Sequence, residues 1–500
     1  MAIVTADSES NLFLPKTDES RKWLAYDGLS KILYVEETSH TKIPVMEFMD
    51  KLDRLKYSFE VESVTFDFIQ NLYSEGQVDN RDHSKVQNYA MELIKNAVKQ
   101  HASDIHIVVD VKKTTIKYRL LGRLSFLKGS NDYSFGLDLC RTIYGTMTDN
   151  SDTYFKENLK QDARLSAKFV EDCGLHGGRI ATTPTDSGVL MVIRLFYSSA
   201  DVEPDLAVLG YNQEQVSVLQ NLLLKSSGIM VLSGITGSGK TTSLEKMMKI
   251  MIAQSQGRKH FLTIENPPEN AIPGANQTPI LCEDFNDDSQ LSMAWSKSLS
   301  NSLRLDPDVI MVGEVRDLNS GKAATQAGRT GHLVLTTVHA FDAVSILDRL
   351  IYDMELTPSQ LLNHRLVIGL INQSLVPILC DHCKVPYLGN EKTLPIGVQE
   401  RLNGVLPTFE DKKSVFVTGP GCECCNNEGL TGRAIVAEVI KPDKGFMEAY
   451  RDKGAIHARE YWINQLNGKT KLKHLIDRIK AGEVDPLVAE ETMGPLDDIE

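Results

Sequence analysis

A run of nine residues, GITGSGKTT at positions 234 to 242, restricts what this chain can fold into more than any other feature. Gly234, Gly239, Lys240 and Thr241 complete the pattern GxxxxGK[ST], a loop whose backbone N–H groups wrap a β-phosphate. Glycines are needed because the backbone must come close to the anion. Lys240 brings a positive charge to the β- and γ-oxygens, and the Thr241 hydroxyl can hold magnesium. The loop works only between a buried strand and a helix whose positive end faces the phosphate. Both are present: the apolar run IMVLS precedes it, and a helical segment starts at Thr241. Gly234, Ile235, Thr236, Gly237, Ser238, Gly239, Lys240, Thr241 and Thr242 are therefore read as an ATP-binding loop.

Hydrolysis needs further groups. DPDVIMVGEVRD, 306 to 317, reads as a short buried strand ending in an acid. Glu314 would emerge at the carboxyl end of that strand, where ligands of parallel sheets bind, and can orient or deprotonate an attacking water. An Asp that usually precedes it and holds magnesium is replaced by Gly313. FLTIENPPEN places Glu265 and Glu269 at a similar strand end; they are read as positioning magnesium or water, against the plainer reading of solvated loop acids. TGHLVLTTVHAFDA, 330 to 343, sets His332 and His339 at the two ends of another buried strand. Their odd separation points them to opposite faces, so they cannot share one job. His339 is suited to the γ-phosphate; His332 fits a structural role equally well.

The runs IMVLS, HFLTI, VIMV and LVLTTV, each followed by a loop and a helical segment, predict a parallel sheet covered by helices. Upstream, a helical pattern from Val86 is followed by ASDIHIVVDV (102–111), TTIKYRLL (114–121) and further strand-like runs at 178–183 and 189–196, which predict a small α/β domain. The stretch SSADVEPDLAVLGYN mixes acid, proline and glycine and reads as a linker. The expected organisation is 1–80, an acidic amino-terminal region; 81–199, the small α/β domain; 200–212, the linker; 213–378, the ATPase domain; 379–440, a cysteine-rich subdomain; and 441–500, a helical tail.

The net charge of −13 argues against a large basic surface, so no direct nucleic-acid partner is expected. No apolar stretch approaches 18 residues, and MAIVTADSESNLFLPK lacks the basic and apolar regions of a secretory signal. A cytoplasmic location is expected, with any membrane contact made through a partner.

Five of the eight cysteines fall between 380 and 425. Cys380-Asp-His-Cys383 and Cys422-Glu-Cys-Cys425 form two CxxC pairs separated by 38 residues. Each pair lets two thiolates converge from one turn, and two turns complete a tetrahedral zinc site. Cys380, Cys383, Cys422 and Cys425 are the expected ligands of Zn2+, with Cys424 or His382 as possible substitutes. Four thiolates leave no open position, so such a site is structural.

Taken in order, these segments resemble the secretion ATPase family of type II secretion systems and type IV pilus assembly machines. The resemblance spans roughly 85 to 440. It also includes ASDIH (102–106), QDARL (161–165) and GGRIATTPTDSGVLMVIRL (177–195). It implies a RecA-like P-loop ATPase core, a hinged PAS-like α/β domain ahead of it, and a ring of six chains. TIENPPE, with Glu265 and Glu269, matches the family's acidic box, TGHLVLTTVH its histidine box, and Glu314 its catalytic glutamate in an atypical Walker B. Arg179 and Arg194 match arginines that the amino-terminal domain brings to the phosphates. The tetracysteine element and GLTGR (429–433) match the assembly and secretion branch rather than the retraction branch. The implied role is a Mg2+-dependent homohexameric motor at the inner membrane, working through a platform protein. A translocation ATPase for DNA or protein, or a nucleotide-binding scaffold without turnover, are the alternatives. Four positions depart from the family: Asn266 in the acidic box, Ser300 for an arginine, RLLG at 119–122 for RxDG, and HAFD at 339–342 for HTND.

Overall fold

Alternating and uniformly apolar runs build different kinds of sheet here, as they should when one face or both faces are buried. The computed structural model describes residues 4–6, 10, 12–14, 18–28, 30–66, 68–69, 72, 80–149, 154–197, 205–282 and 287–498. Positions 200–204 of the expected linker, and parts of the first 80 residues, lie outside the described residues.

The amino-terminal region forms a small sheet with strand order β1 (Leu24–Asp27), β2 (Ile32–Glu36), β3 (Glu60–Val64). β2 and β3 run parallel, joined through the helix Ile43–Arg54. Val45, Phe48 and Leu52, spaced by three and four, line one face of that helix and pack on Leu24, Tyr26, Leu33 and Val35.

The next unit is a six-stranded antiparallel sheet. It comprises β4 (Asp104–Asp110), β5 (Lys113–Leu120), β6 (Arg123–Asn131), β7 (Gln161–Leu165), β8 (Leu175–Thr185) and β9 (Gly188–Tyr197), in the order β6-β5-β4-β9-β8-β7. Helices Asn80–Lys99 and Tyr133–Thr146 cover one face. Ile105, Ile107, Val109, Ile116 and Tyr118 meet Ala90, Leu93, Ile94 and Ala97 there, and the Tyr118 hydroxyl donates to the Leu93 carbonyl at 2.6 Å. β8 and β9 outrun the strand-like stretches read from sequence, because the polar TTPT end pairs through its backbone and shows no apolar alternation. The opposite face mixes charged residues such as Asp104, Lys117 and Arg119 with apolar ones such as Leu124 and Phe126.

The third unit carries the P-loop. Its sheet has the order β12-β11-β13-β14-β10-β15-β18, with β10 (Gly228–Ser233), β11 (Phe261–Glu265), β12 (Ala275–Pro279), β13 (Val309–Val312), β14 (Leu333–Val338), β15 (Val367–Leu379) and β18 (Leu430–Ile440). β10, β11, β13 and β14 are buried along their whole length, with separate apolar clusters above and below. Two features differ from the sequence reading. HFLTI is followed first by the polar edge strand β12, and only then by the helix Asp288–Ser302. The sheet is mixed, since β18 runs antiparallel to β15.

The cysteine-rich segment is inserted between β15 and β18. It holds the short pair β16 (Val385–Pro386) and β17 (Phe416–Val417) and the helix Ile396–Val405. The tail helices divide between two cores. Lys444–Lys453 and Ala455–Gln465 place Phe446, Tyr450 and Trp462 in a core of the P-loop unit. Lys471–Lys480 and Pro486–Met493 contribute Leu475, Ile479 and Ala489 to a core with Tyr387, Leu402 and Val417.

His474, on the third tail helix, is 3% exposed and its Nδ1 accepts the Ala437 N–H at 3.1 Å. Burial first, then Arg478 and Lys469, draw its pKa down to about 4. Its neutral form is what the fold accommodates. Its contribution to stability is therefore present above the unfolded pKa near 6.5 and is lost as pH falls toward 4, on the order of 3 kcal/mol in total. Urea midpoints measured at pH 7.5 and pH 5 should fall less for His474→Gln than for the wild type. Equal falls would show that His474 does not titrate across the unfolding transition.

Candidate functional site

The phosphate loop, Glu265, Glu314 and His339 sit at the carboxyl ends of four neighbouring strands of one sheet. In the order β11-β13-β14-β10, Glu265 ends its strand, Glu314 lies two residues beyond β13, His339 directly follows β14, and Gly234 directly follows β10. Ligands of open parallel sheets bind at this edge.

The loop has the backbone that its glycines permit. Gly234, Gly237 and Gly239 have φ of 146°, 79° and 82°. A Cβ at Gly234 would lie 2.3 Å from the Gln373 carbonyl oxygen, so only glycine fits. The helix Lys240–Ser255 then begins, with its N-terminal N–H groups turned toward the loop. The Lys240 ammonium donates to the Gly234 and Ile235 carbonyls at 2.7 and 3.1 Å. Burial lowers its pKa and the nearby Glu314 charge opposes that shift.

Glu314 is held on both sides. Its Oε2 accepts from Arg316 Nε at 2.8 Å, and its Oε1 lies 3.3 Å from His339 Nε2. Burial and the Lys240 charge pull the His339 pKa down while Glu314 opposes them, which favours a neutral ring. Lys240, Glu314 and His339 are thus brought together. Gly313, where an acid is usual, is packed against the next strand: a Cβ there would sit 3.7 Å from the Glu265 Cα. Glu265 occupies this corner instead. It is 4% exposed and accepts from Thr263 Oγ1 at 2.6 Å and Gln277 Nε2 at 3.0 Å.

Glu269 faces the amino-terminal sheet. Burial raises its pKa, while Arg194 and Arg179 pull it back. The His176 ring Nε2 also bonds to the Glu269 carbonyl. Register explains the arginines. Arg119 pairs with Asp104, Asp104 with Arg194, Arg194 with Arg179, and Arg179 with Arg164, all as direct cross-strand partners. Direct partners share a face. Four arginines therefore form one row with a single acid in it. Asp104 takes Arg194 Nε at 3.0 Å and Arg119 at 3.8 Å, and Arg179 reaches Asp162 at 3.4 Å. Arg164 was given no role by its motif; the pairing of β7 with β8 puts it in this row.

His332 lies at the other end of β14. Its Nδ1 is 3.1 Å from the Ala327 carbonyl oxygen at the end of the helix Leu318–Arg329. It is a helix-terminal contact, remote from the phosphate loop.

Other residues set the loop from below. In β15 the triplet Asn372–Gln373–Ser374 interrupts an apolar strand. Gln373 donates to the Ser238 carbonyl at 2.8 Å and accepts from Tyr211 at 2.5 Å and Ser243 at 3.0 Å. Asn372 donates to Ser233 Oγ at 2.7 Å and to the Ala340 carbonyl at 2.9 Å, so it joins the P-loop strand to the residue after His339. Polar triplets inside a buried strand are a legible signal, since they must find partners. Glu438, fully buried on β18, accepts the Ala343 N–H at 2.9 Å and Arg459 at 3.1 Å, pinning the far end of the HAFD loop.

The sulfurs of Cys380, Cys383, Cys422 and Cys425 lie within 4.8 Å of one another. Three of the separations are 3.7 Å. Zinc–sulfur bonds of about 2.3 Å in a tetrahedron put sulfurs about 3.8 Å apart, whereas a disulfide needs about 2.05 Å. The set fits a four-thiolate zinc site. Burial tends to raise the Cys425 pKa, but N–H bonds from Cys422 and Gly429 prevail and draw it down to about 6. Cys424 is exposed and outside the cluster.

The RLLG departure also has a structural reason. Leu121, at the β5–β6 turn, packs against Leu379, Leu430 and Val488, so an apolar side chain replaces the expected acid at a contact with the carboxyl-terminal half.

A phosphate loop, carboxylates at the ends of β13 and β11 in the same sheet and a neighbouring domain carrying arginines define a RecA-like P-loop ATPase with a PAS-like domain ahead of it. Residues 79–491 match the family model "Type II/IV secretion system protein", and the chain belongs to that family. It is 30% identical over 382 residues to type II secretion system protein E of Aeromonas hydrophila, covering 75% of this chain and 69% of that one. It is 29% identical over 398 residues to type II secretion system ATPase E of Vibrio cholerae, covering 78% and 72%. With the type IV pilus assembly ATPase PilB of Thermus thermophilus it shares 31% identity over 366 residues, 72% of this chain but 38% of the relative. The fold is similar to that of the ADP-bound pilus retraction motor PilT, with a TM-score of 0.51 at 23% identity over 80% of this chain and 96% of that one. The Legionella pneumophila ATPase DotB gives 0.54 at 18% identity, over 80% and 93%. The chain is accordingly a secretion or pilus motor ATPase, and no helix among the described residues is long and apolar enough to cross a membrane.

Proposed function

We propose that this chain is a magnesium-dependent, ring-forming ATPase that drives type IV pilus assembly, or type II secretion, from the cytoplasmic face of the inner membrane through a platform protein. The observation that carries it is the convergence of Lys240, Glu314 and His339 at one sheet edge, with Arg179 and Arg194 of the other domain acting electrostatically on Glu269. The phosphates of ATP lie on the 234–242 loop, with Lys240 on the β- and γ-oxygens. Thr241 would hold Mg2+, with Glu265 or Glu269 orienting it or its water; the ion would neutralise charge on the phosphates. Glu314 accepts a proton from the attacking water, and neutral His339 contacts the γ-phosphate. Arg179 and Arg194 supply cations to the developing charge. Because they come from another domain, closing the two domains and hydrolysing ATP become one event.

Zinc held by Cys380, Cys383, Cys422 and Cys425 would be structural. The insertion it braces supports the assembly or secretion direction of work. Six copies forming a ring, and attachment to the membrane through partners alone, complete the reading.

The test is affinity purification of the full chain from membranes in which its secretion or pilus system is assembled. Recovery of a polytopic inner-membrane protein together with a pilin-like subunit is the expected result. Recovery of neither, from membranes where both are present, would sink the platform reading.

A further inference from the structure

Glu245 is an odd residue for its place. It lies on the phosphate-binding helix, four residues after Thr241, where its neighbours Ser243, Leu244, Met247 and Met248 are all buried. It is itself only 5% exposed. A carboxylate taken out of water needs partners. Its Oε1 accepts the side-chain N–H of Asn270 at 2.7 Å. Asn270 directly follows Glu269.

The contact continues beyond Asn270. The Asn270 carbonyl accepts from Gln277 Nε2 at 2.8 Å, and the same amide nitrogen donates to Glu265 Oε1 at 3.0 Å. Gln277 Oε1 takes the Ile272 N–H at 2.8 Å. A single hydrogen-bonded chain thus runs from the helix that starts at the phosphate loop through Asn270, the residue after Glu269, to the carboxylate of Glu265 at the end of β11.

We propose that Glu245 is a positioning residue for ATP hydrolysis: through Asn270 it fixes the loop carrying Glu269 to the phosphate-binding helix. The inference rests on the reading of this site as hydrolytic. Without the bond, the loop keeps its β11–β12 hydrogen bonds, the His176 contact to the Glu269 carbonyl and the packing of Ile272 on the helix. It loses the hydrogen bond that sets the residue beside Glu269 on that helix, so Glu269 can drift relative to the phosphates. A displacement of about 1 Å is enough to cost on the order of a hundredfold in rate. Nothing in the bond requires charge, since a carboxyl oxygen accepts from Asn270 whether or not the group is ionised. Burial, with Glu265 and Glu269 nearby, pushes the Glu245 carboxyl up to about 7, against the opposing effects of the Asn270 bond and Lys249. The neutral form is therefore accessible at ordinary pH.

The experiment compares Glu245→Gln, Glu245→Leu, Asn270→Ala and the Glu245→Leu/Asn270→Ala double variant in the full chain. Phosphate release is measured against MgATP concentration, and a fluorescent ADP analogue reports binding. Glu245→Leu and Asn270→Ala should each lower kcat about tenfold or more, with KM within about threefold of wild type. The double variant should be no slower than the slower single one, because both break one contact. Glu245→Gln keeps the acceptor and should stay within about threefold of wild type. Wild-type kcat in Asn270→Ala, or Glu245→Gln as slow as Glu245→Leu, would overturn the proposal. Asn270→Ala covers the case in which Glu245→Leu fails to fold. Glu314→Gln, run alongside, separates the two readings: a wild type no faster than Glu314→Gln means the hydrolytic reading itself fails.

Discussion

Replacing Glu314 with Gln should leave nucleotide binding intact and cut phosphate release by about two to four orders of magnitude, the range lost with a general base. The side chain keeps its shape and can still accept from Arg316, which now lies 2.8 Å from Oε2. What it loses is the basic oxygen. The P-loop contacts of Lys240 do not involve Glu314, so affinity for a fluorescent ADP analogue should change little. Lys240→Ala gives the opposite pattern, with binding itself lost. Turnover by Glu314→Gln within about tenfold of wild type would remove Glu314 from the role of base and leave His339 or a box acid in its place.

The second large effect is at the cysteines. Converting Cys380 or Cys425 to Ser, or stripping the metal with a chelator, should unfold the insertion between β15 and β18. Structural zinc contributes on the order of 10 kcal/mol to domains of this kind. The core it braces is small: Tyr387, Leu394, Val398, Leu402, Val415 and Val417 with the tail residues Leu475 and Ile479. The damage should spread, because both flanking strands belong to the motor sheet, β15 carries Gln373 under the phosphate loop and β18 carries Glu438. Elemental analysis of the purified chain, limited proteolysis across 380–430 and phosphate release would follow it. One zinc per chain, cleavage on chelation and a parallel loss of turnover are expected. A metal-free chain with unchanged melting and unchanged activity would rule the zinc site out.

How much was legible varies by region, for physical reasons. The P-loop declares itself because its chemistry is local: glycines, a lysine and a hydroxyl at fixed spacing within nine residues. The buried strands β10, β11, β13 and β14 are equally plain, since burial on both faces favours a near-continuous run of apolar residues. β12, by contrast, was invisible. ANQTP pairs through its backbone at a sheet edge and needs no apolar side chains. Arg164 and Glu245 sit in the same category of surprise. Each is an ordinary charged residue until strand register or helix facing gives it neighbours.

The sequence by itself determined the nucleotide loop, the acid after β13, the histidine after β14 and the paired cysteines, because each is a short motif whose backbone geometry is set within a few residues. Only the tertiary structure decided which of these meet. It placed His339 3.3 Å from Glu314 and His332 at the opposite end of the strand. It aligned Arg194, Arg179 and Arg164 in one row, and hung the acidic loop on Glu245. Those relations depend on register and on packing between segments far apart in the chain. A side chain's charge is written in the sequence, but the field it feels comes from neighbours that only the fold supplies.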